Sequence, residues 1–186
     1  MKKLFDICLA LVLLAVLALP LCLLAIAVKI SSPGPVLYWS DRVGKNNRIF
    51  KMPKFRSMRI GTPAVATHLL TNPGQYLTPI GPFLLKTSLD EVPQLWSILA
   101  GDMSFVGPRP ALFNQNDLIV LRTQHGVHTL TPGLTGWAQI NGRDELSIVD
   151  KVKFDTQYLS QHSLAMDIAI LWKTAARVSQ SDGISH

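Results

Sequence analysis

Between Ile7 and Val28 the chain carries no charged side chain. That length suits a helix crossing the roughly 30 Å hydrocarbon core of a bilayer. Three arrangements compete for such a segment: a cleaved signal peptide, an ordinary spanning helix, and a re-entrant hairpin that enters one leaflet and returns. Lys2, Lys3 and the small-residue stretch Ala25-Ile26-Ala27 resemble a signal peptide. The apolar part is longer than a typical signal core, however, and Asp6 abuts it. The other two differ in what they ask of the flanks. Lys2 and Lys3 precede the run, while Lys29, Arg42, Lys45, Arg48, Lys51, Lys54, Arg56 and Arg59 follow it. Basic flanks favour the cytoplasmic side, which a hairpin satisfies at both ends and a single span at one. Pro20 lies past the middle, where it removes a backbone donor and bends a helix. Membrane helices tolerate proline, so these residues alone leave a kinked span and a hairpin both open.

The remainder reads as one domain. The whole chain of 186 residues carries a net charge of +6, which suits anionic partners such as phospholipid, nucleotide or phosphorylated substrate. No nucleic-acid-binding motif accompanies that charge. The two cysteines, Cys8 and Cys22, both fall in the apolar run. They offer no disulfide framework, which makes a reducing compartment the default. The breaker SSPGP at 31–35 ends the membrane segment. Val36-Leu37-Tyr38 and Arg48-Ile49-Phe50 predict short strands of a hairpin around GKNN. Residues 61–82 read as a loop with at most a short helix. Helices are expected over 88–100, 111–125, 147–160 and 163–180, and 126–146 is turn-rich. Trp39, Trp96, Trp137 and Trp172 are each assigned to the core, with interfacial anchoring as the alternative.

The stretch TSLDEVPQLW places Asp90 beside Glu91. Ser88-Leu89-Asp90-Glu91 fits a capping box, with Ser88 as N-cap and Glu91 reaching back to it. In that reading the acids only complement a helix dipole. Pro93 prefers the first helical position, so the regular helix is expected to begin near it. The competing reading is chemical: a helix start can hold phosphate, and an ionised Asp beside it is a plausible nucleophile. GDMSFVGPRP adds Arg109 between Pro108 and Pro110, a restricted backbone that suits bidentate phosphate recognition. TPGLTGWAQINGRDE adds Gln139, Asn141 and Arg143 in a glycine-rich loop.

Three segments in this order, SSPGPVLYWSDRVGKNNRIFKMPKFRSM, KTSLDEVPQLWSILAGDMSFVGPRP and TPGLTGWAQINGR, closely resemble the bacterial sugar transferases, a family of monotopic phosphoglycosyl transferases. The likeness runs from Phe5 to about Lys173. It implies an α+β, mainly helical fold: a re-entrant membrane helix-break-helix over 1–30, then a catalytic domain over 31–180. That domain would carry a β-hairpin and amphipathic helices lying in the interface, followed by a disordered tail at 181–186. The length resembles the family's short form. The implied reaction moves a sugar 1-phosphate from a UDP-sugar to undecaprenyl phosphate, releases UMP, and opens the synthesis of a surface glycan. The setting would be the bacterial inner membrane, with the catalytic domain on the cytoplasmic face.

The resemblance also implies roles. Asp90 would be the nucleophile of a ping-pong reaction and Glu91 its helper. The two carboxylates would hold Mg²⁺. Arg109, Lys54 and Arg56 would bind phosphate. Arg143, Gln139 and Asp167 would face the nucleotide, with Asp155 a further acidic position. Pro20 would mark the break in the membrane helix. The partners implied are a UDP-sugar, undecaprenyl phosphate and membrane phospholipid, with a homodimer as the assembly to test. N-acetylated amino sugars lead the expected donors, ahead of galactose and glucose. The chain departs from the family in three places. Ala18-Leu19-Pro20 lacks the usual Ser before Pro. Leu85 stands where an arginine is expected, with Lys86 as a candidate substitute. Pro53 replaces an aromatic residue. The rival readings are a non-catalytic lipid-binding relative of the same fold and a secreted basic binding protein.

Overall fold

The computed structural model describes residues 1–63, 65, 71–142 and 145–180, with side chains to 177. The expected tail at 181–186 and Arg143 lie outside the described residues. Helix α1, Lys2–Ser31, is long and apolar enough to cross a membrane. It is recorded as one continuous helical element through Pro20. Its sequence is apolar on every side, yet its burial is one-sided. Asp6, Ala10 and Val28 are buried, and Leu13, Leu17, Leu21 and Leu24 half-buried. These positions recur at helical spacing and form one stripe. Leu4, Val12, Val16, Leu19, Leu23 and Ile30 are each more than half exposed. Both ends of α1 reach the same domain. The Lys2 ammonium donates to Asp167 at 2.6 Å, and Ser104 Oγ donates to Asp6 at 2.8 Å. At the far end Val28 packs with Phe55 and Leu84.

The predicted hairpin is present and longer than expected. Strands β1 (Leu37–Val43) and β2 (Ile49–Phe55) pair antiparallel from Leu37↔Phe55 to Val43↔Ile49. Asn46 and Asn47 turn the chain at positive φ, a region asparagine tolerates better than most residues. Pro53 is buried opposite Trp39. β2 pairs on one side only, the setting in which a strand accepts proline. The segment read as a loop, 61–82, gives way at its end to helix α2, Gly81–Thr87. A 3₁₀ segment (Leu89–Gln94) and α3 (Leu95–Ala100) follow.

A second, parallel pair was not expected. β3 (Ser104–Val106) lies beside β4 (Gly133–Thr135), with Ser104↔Gly133 and Val106↔Thr135 in register. Glycines permit it. A Cβ on Gly107 would meet the Thr131 carbonyl and Gly133 N, and one on Gly136 would meet the Gly107 carbonyl. The two loops that carry GPRP and GWAQI therefore touch backbone to backbone. Helix α4 spans Asn116–Gln124, shorter than the expected 111–125. Helices α5 (Ile148–Gln161) and α6 (Leu164–Gln180) complete the chain close to the expected bounds.

The core is built from Phe50, Met52, Leu95, Ile98, Phe105 and Ile170, and Ala10 of α1 belongs to the same cluster. The assignment of every tryptophan to the core is corrected. Trp39, Trp96 and Trp172 are exposed, Trp172 by 77%. Aliphatic residues and phenylalanines already fill the interior. Trp137 alone packs against the core, with its indole N–H on Gln157 at 3.1 Å. Gly107→Ala should force β3 from β4 and lower stability by roughly 1–3 kcal/mol, the usual cost of overpacking. The denaturant midpoint of the detergent-solubilised protein measures it.

Candidate active site

The left-handed conformation of Ser88 decides between capping and chemistry at the Asp–Glu pair. Ser88 has φ 55° and serves as the C-cap of α2, its N–H pointing to the carbonyls of Leu84 and Leu85. Its side chain caps nothing at the start of the 3₁₀ segment. The capping box is therefore absent, and the regular α-helix starts at Leu95, beyond Pro93. Glu91 turns instead to two cations. Its Oε1 accepts from Lys54 Nζ at 2.8 Å and from an Arg109 Nη at 2.6 Å. Lys54 also approaches Asp90 Oδ2 at 3.4 Å. Three distant segments converge here: the end of β2, the 3₁₀ segment, and the proline-bracketed loop after β3.

The two carboxyls are driven in opposite directions. Burial pushes the Asp90 carboxyl above its usual value, against the opposing pull of Lys54. Burial would also raise Glu91, but Arg109 and Lys54 overcome it and hold that carboxyl well below the usual range. Asp90 is the more basic carboxylate, and Glu91 the one fixed as an anion.

Arg109 is itself held in place. Its carbonyl accepts from Arg122 at 2.7 Å, and Arg122 is bound through Nε and Nη to Asp155 Oδ2 at 3.0 and 2.7 Å. Asp155 is 1% exposed, so its place is behind the site, fixing the loop that presents Arg109. Arg42 donates to the Pro110 carbonyl at 3.2 Å. Burial first, and the nearby Arg109 second, lower the Arg42 pKa to about 10.

An open cleft of about 720 Å³ runs from this cluster. Its polar lining includes Glu91, Arg109, Gln139, Asn141, Glu145 and Arg177, and its apolar lining Leu13 and Leu17 of α1, Leu95, Phe105, Leu134 and Leu171. Glu91 faces the cleft, whereas Asp90 lies behind it, 3% exposed. The Gln139 amide is buried with neither its N nor its O paired, a donor and an acceptor presented together.

Two sequence-predicted site residues lie elsewhere. Arg56 is buried and clamps the breaker after α1, donating to the carbonyls of Pro33 and Ser32 and to Ser32 Oγ. Asp167 is buried away from the cleft lining and bound by Lys2 and by the Tyr158 hydroxyl. Leu85 is half-buried and Lys86 exposed. Arg42, Arg122, Glu145 and Arg177 were missed, because only tertiary contacts bring them to the site. Asp6 left a signal that went unused: an ionisable group at the edge of a membrane segment needs a partner.

Among the described residues no group of three His, Cys, Asp or Glu side chains gathers as a metal cage. The Asp90–Glu91 pair fits a different pattern. Mg²⁺ takes one or two carboxylates and fills its remaining positions with water and phosphate oxygens. Glu91 is held ionised, the state that ligation requires.

The bacterial sugar transferase family model matches residues 1–181. The chain belongs to that family. It is 39% identical over 181 residues to the UDP-glucose:undecaprenyl-phosphate glucose-1-phosphate transferase of Escherichia coli, covering 94% of this chain and 39% of that relative. It is 37% identical over 198 residues to the exopolysaccharide production protein ExoY of Sinorhizobium fredii, covering 98% of this chain and 87% of the relative. An uncharacterized sugar transferase of Bacillus subtilis, EpsL, is 36% identical over 188 residues, covering 100% and 91%. The chain thus spans about two fifths of the Escherichia coli transferase and nearly all of the two others.

The opposed carboxyls give opposed stability effects. Glu91, with its folded pKa lowered, stabilises the fold above its unfolded value of 4.5, and that gain is lost as pH falls through the folded pKa. Asp90, with its pKa raised, is cost-free below 3.8, and becomes a burden as pH rises through its folded pKa. At pH 7, Asp90→Asn should raise the unfolding midpoint. Glu91→Gln should lower stability by about 3 kcal/mol, as breaking a buried pair does. Thermal melts of both variants at pH 7 give the two signs.

Proposed function

We propose that this chain transfers a sugar 1-phosphate from a UDP-sugar to undecaprenyl phosphate. The observation that carries this reading is the carboxylate pair under Lys54 and Arg109, beside a cleft that residues of the membrane helix also line. A nucleotide sugar arrives from water and a polyprenyl phosphate from lipid, and this cleft offers both polar and apolar lining residues. The names of the relatives support the same reaction and put UDP-glucose and UDP-galactose first among the donors to test.

The Asp90 carboxylate oxygen attacks the β-phosphorus of the donor. The bond from that phosphorus to the bridging oxygen breaks, and UMP leaves with the electron pair. The phosphosugar is then bonded to Asp90. An oxygen of undecaprenyl phosphate attacks the same phosphorus, releases the Asp90 carboxylate, and gives the polyprenyl-diphosphate sugar. The raised basicity of Asp90 favours it over Glu91 as the nucleophile, because Glu91 is committed to two cations. Lys54 favours the anionic form of Asp90 against its burial, and Arg109 holds phosphate oxygens as charge moves. Mg²⁺ held by Asp90 and Glu91 would supply positive charge to the diphosphate oxygens. Gln139 offers its unpaired amide to the nucleotide sugar.

Helix α1 is re-entrant in this reading. Its Lys2 and Asp6 end and its Val28 end dock on the same domain, which supports a topology with both on one side of the bilayer. The basic flanks favour the cytoplasm as that side, and exposed Trp96 and Trp172 suit a headgroup layer.

Purified protein, with Mg²⁺ and undecaprenyl phosphate, should release UMP from one UDP-sugar of a panel. Asp90→Asn should reduce turnover to background while remaining folded. Arg109→Ala should cost about a hundredfold in kcat, the typical loss of one charge-stabilising donor. Chelation by EDTA should stop turnover, and added Mg²⁺ restore it. A folded Asp90→Asn protein with near-normal turnover would refute the nucleophile assignment.

A further inference from the structure

The one carboxylate of α1 that faces the domain is buried among apolar residues, 6% exposed. A buried charge is retained only when hydrogen-bonded, and Asp6 is: Ser104 Oγ donates to Oδ2 at 2.8 Å and Phe105 N to Oδ1 at 3.4 Å. Both donors belong to β3, the strand that leads into the loop presenting Arg109. One turn of helix on, Ala10 is fully buried. Leu13 and Leu17 follow at seven and eleven residues from Asp6, on the same face at 100° per residue. These two leucines line the same cleft as Phe105. Asp6 thus fixes which face of a uniformly apolar helix turns inward. Hydrophobicity alone cannot, since the other faces are equally apolar. Lys2, one turn earlier on the same face, is bound to Asp167 and ties the helix to α6 as well.

We propose that Asp6 is a positioning residue for the lipid acceptor, holding Leu13 and Leu17 as the wall of a subsite for the first isoprene units. The subsite is continuous with the Arg109 and Glu91 end of the cleft, where the acceptor phosphate sits. This rests on the transferase reading above. It goes beyond it in assigning the tail to one face of α1 and the orientation of that face to one carboxylate.

Two measurements test it on the full chain in nanodiscs. The first follows UMP release without acceptor, which reports the donor half-reaction, and then the KM for undecaprenyl phosphate and for a short-chain polyprenyl phosphate. The second is binding of undecaprenyl phosphate by native mass spectrometry, which needs no turnover. Asp6→Ala should leave the acceptor-free UMP burst intact and raise the undecaprenyl phosphate KM about tenfold, a loss of binding rather than of chemistry. It should also shrink the preference for the long acceptor. A purely structural role would lower the burst and the acceptor step together. Leu17→Trp fills the subsite without touching Asp6, so it stands even where Asp6→Ala fails to fold. It should weaken binding of undecaprenyl phosphate more than binding of the short-chain polyprenyl phosphate.

Unchanged long-chain affinity in Leu17→Trp would overturn the subsite. An equal fall of burst and acceptor turnover in Asp6→Ala would overturn the positioning role. Loss of UMP release in the parent, with long-chain binding still weakened by Leu17→Trp, would remove the transferase reading and leave the subsite standing.

Discussion

One carboxylate oxygen, Oε1 of Glu91, accepts from both Lys54 and Arg109, and the arrangement of the domain follows from that double contact. The donors come from a β-hairpin and from a loop bracketed by prolines, and the acceptor from a 3₁₀ turn. Each segment has few local reasons to be where it is. Two opposing charges at hydrogen-bond distance, largely removed from water, supply the non-local reason. They also leave Asp90 beside a local excess of positive charge. Lys54 lies within reach of that carboxyl and favours its ionised form against the effect of burial.

The supporting groups are arranged in a chain of dependence. Asp155 orients Arg122, Arg122 holds the carbonyl of Arg109, and Arg109 reaches Glu91. Only the last link faces the cleft. Behind it, glycines at 107, 133 and 136 allow two backbones to meet, which brings Gln139 to the same cleft as Arg109. Catalytic groups need this kind of backing because a small displacement of a charge-stabilising donor costs rate steeply. Here the backing is made of buried ion pairs and backbone contact.

Local chemistry was the legible part of the sequence. The hairpin announced itself through GKNN, the two C-terminal helices through their spacing, and Asp90, Glu91, Lys54 and Arg109 through residue type and motif. Contacts between remote segments were not legible. The β3–β4 pairing joins stretches of three residues, too short to show a period. Ser88 fits a capping box as letters, and only its positive φ shows that it ends one helix instead of starting another. Asp155 and Asp167 were legible as acidic positions of the family, but not their partners Arg122 and Lys2, which only the tertiary fold brings beside them. The tryptophans misled because size suggests the interior, whereas a protein at a lipid boundary has a second apolar environment outside.

The one-sided stripe on α1 changes what the membrane segment is. A generic anchor could be exchanged for any apolar helix of equal length, because its only duty would be to stay in lipid. Here Ala10 and Val28 are part of the protein's own interior, and Leu13 and Leu17 are part of its cleft. Cutting the chain before Leu37 would not liberate a soluble enzyme. It would open two core clusters to water and remove one wall of the reaction chamber. Part of the molecule's interior is thus written in the segment that looks most like a mere tether.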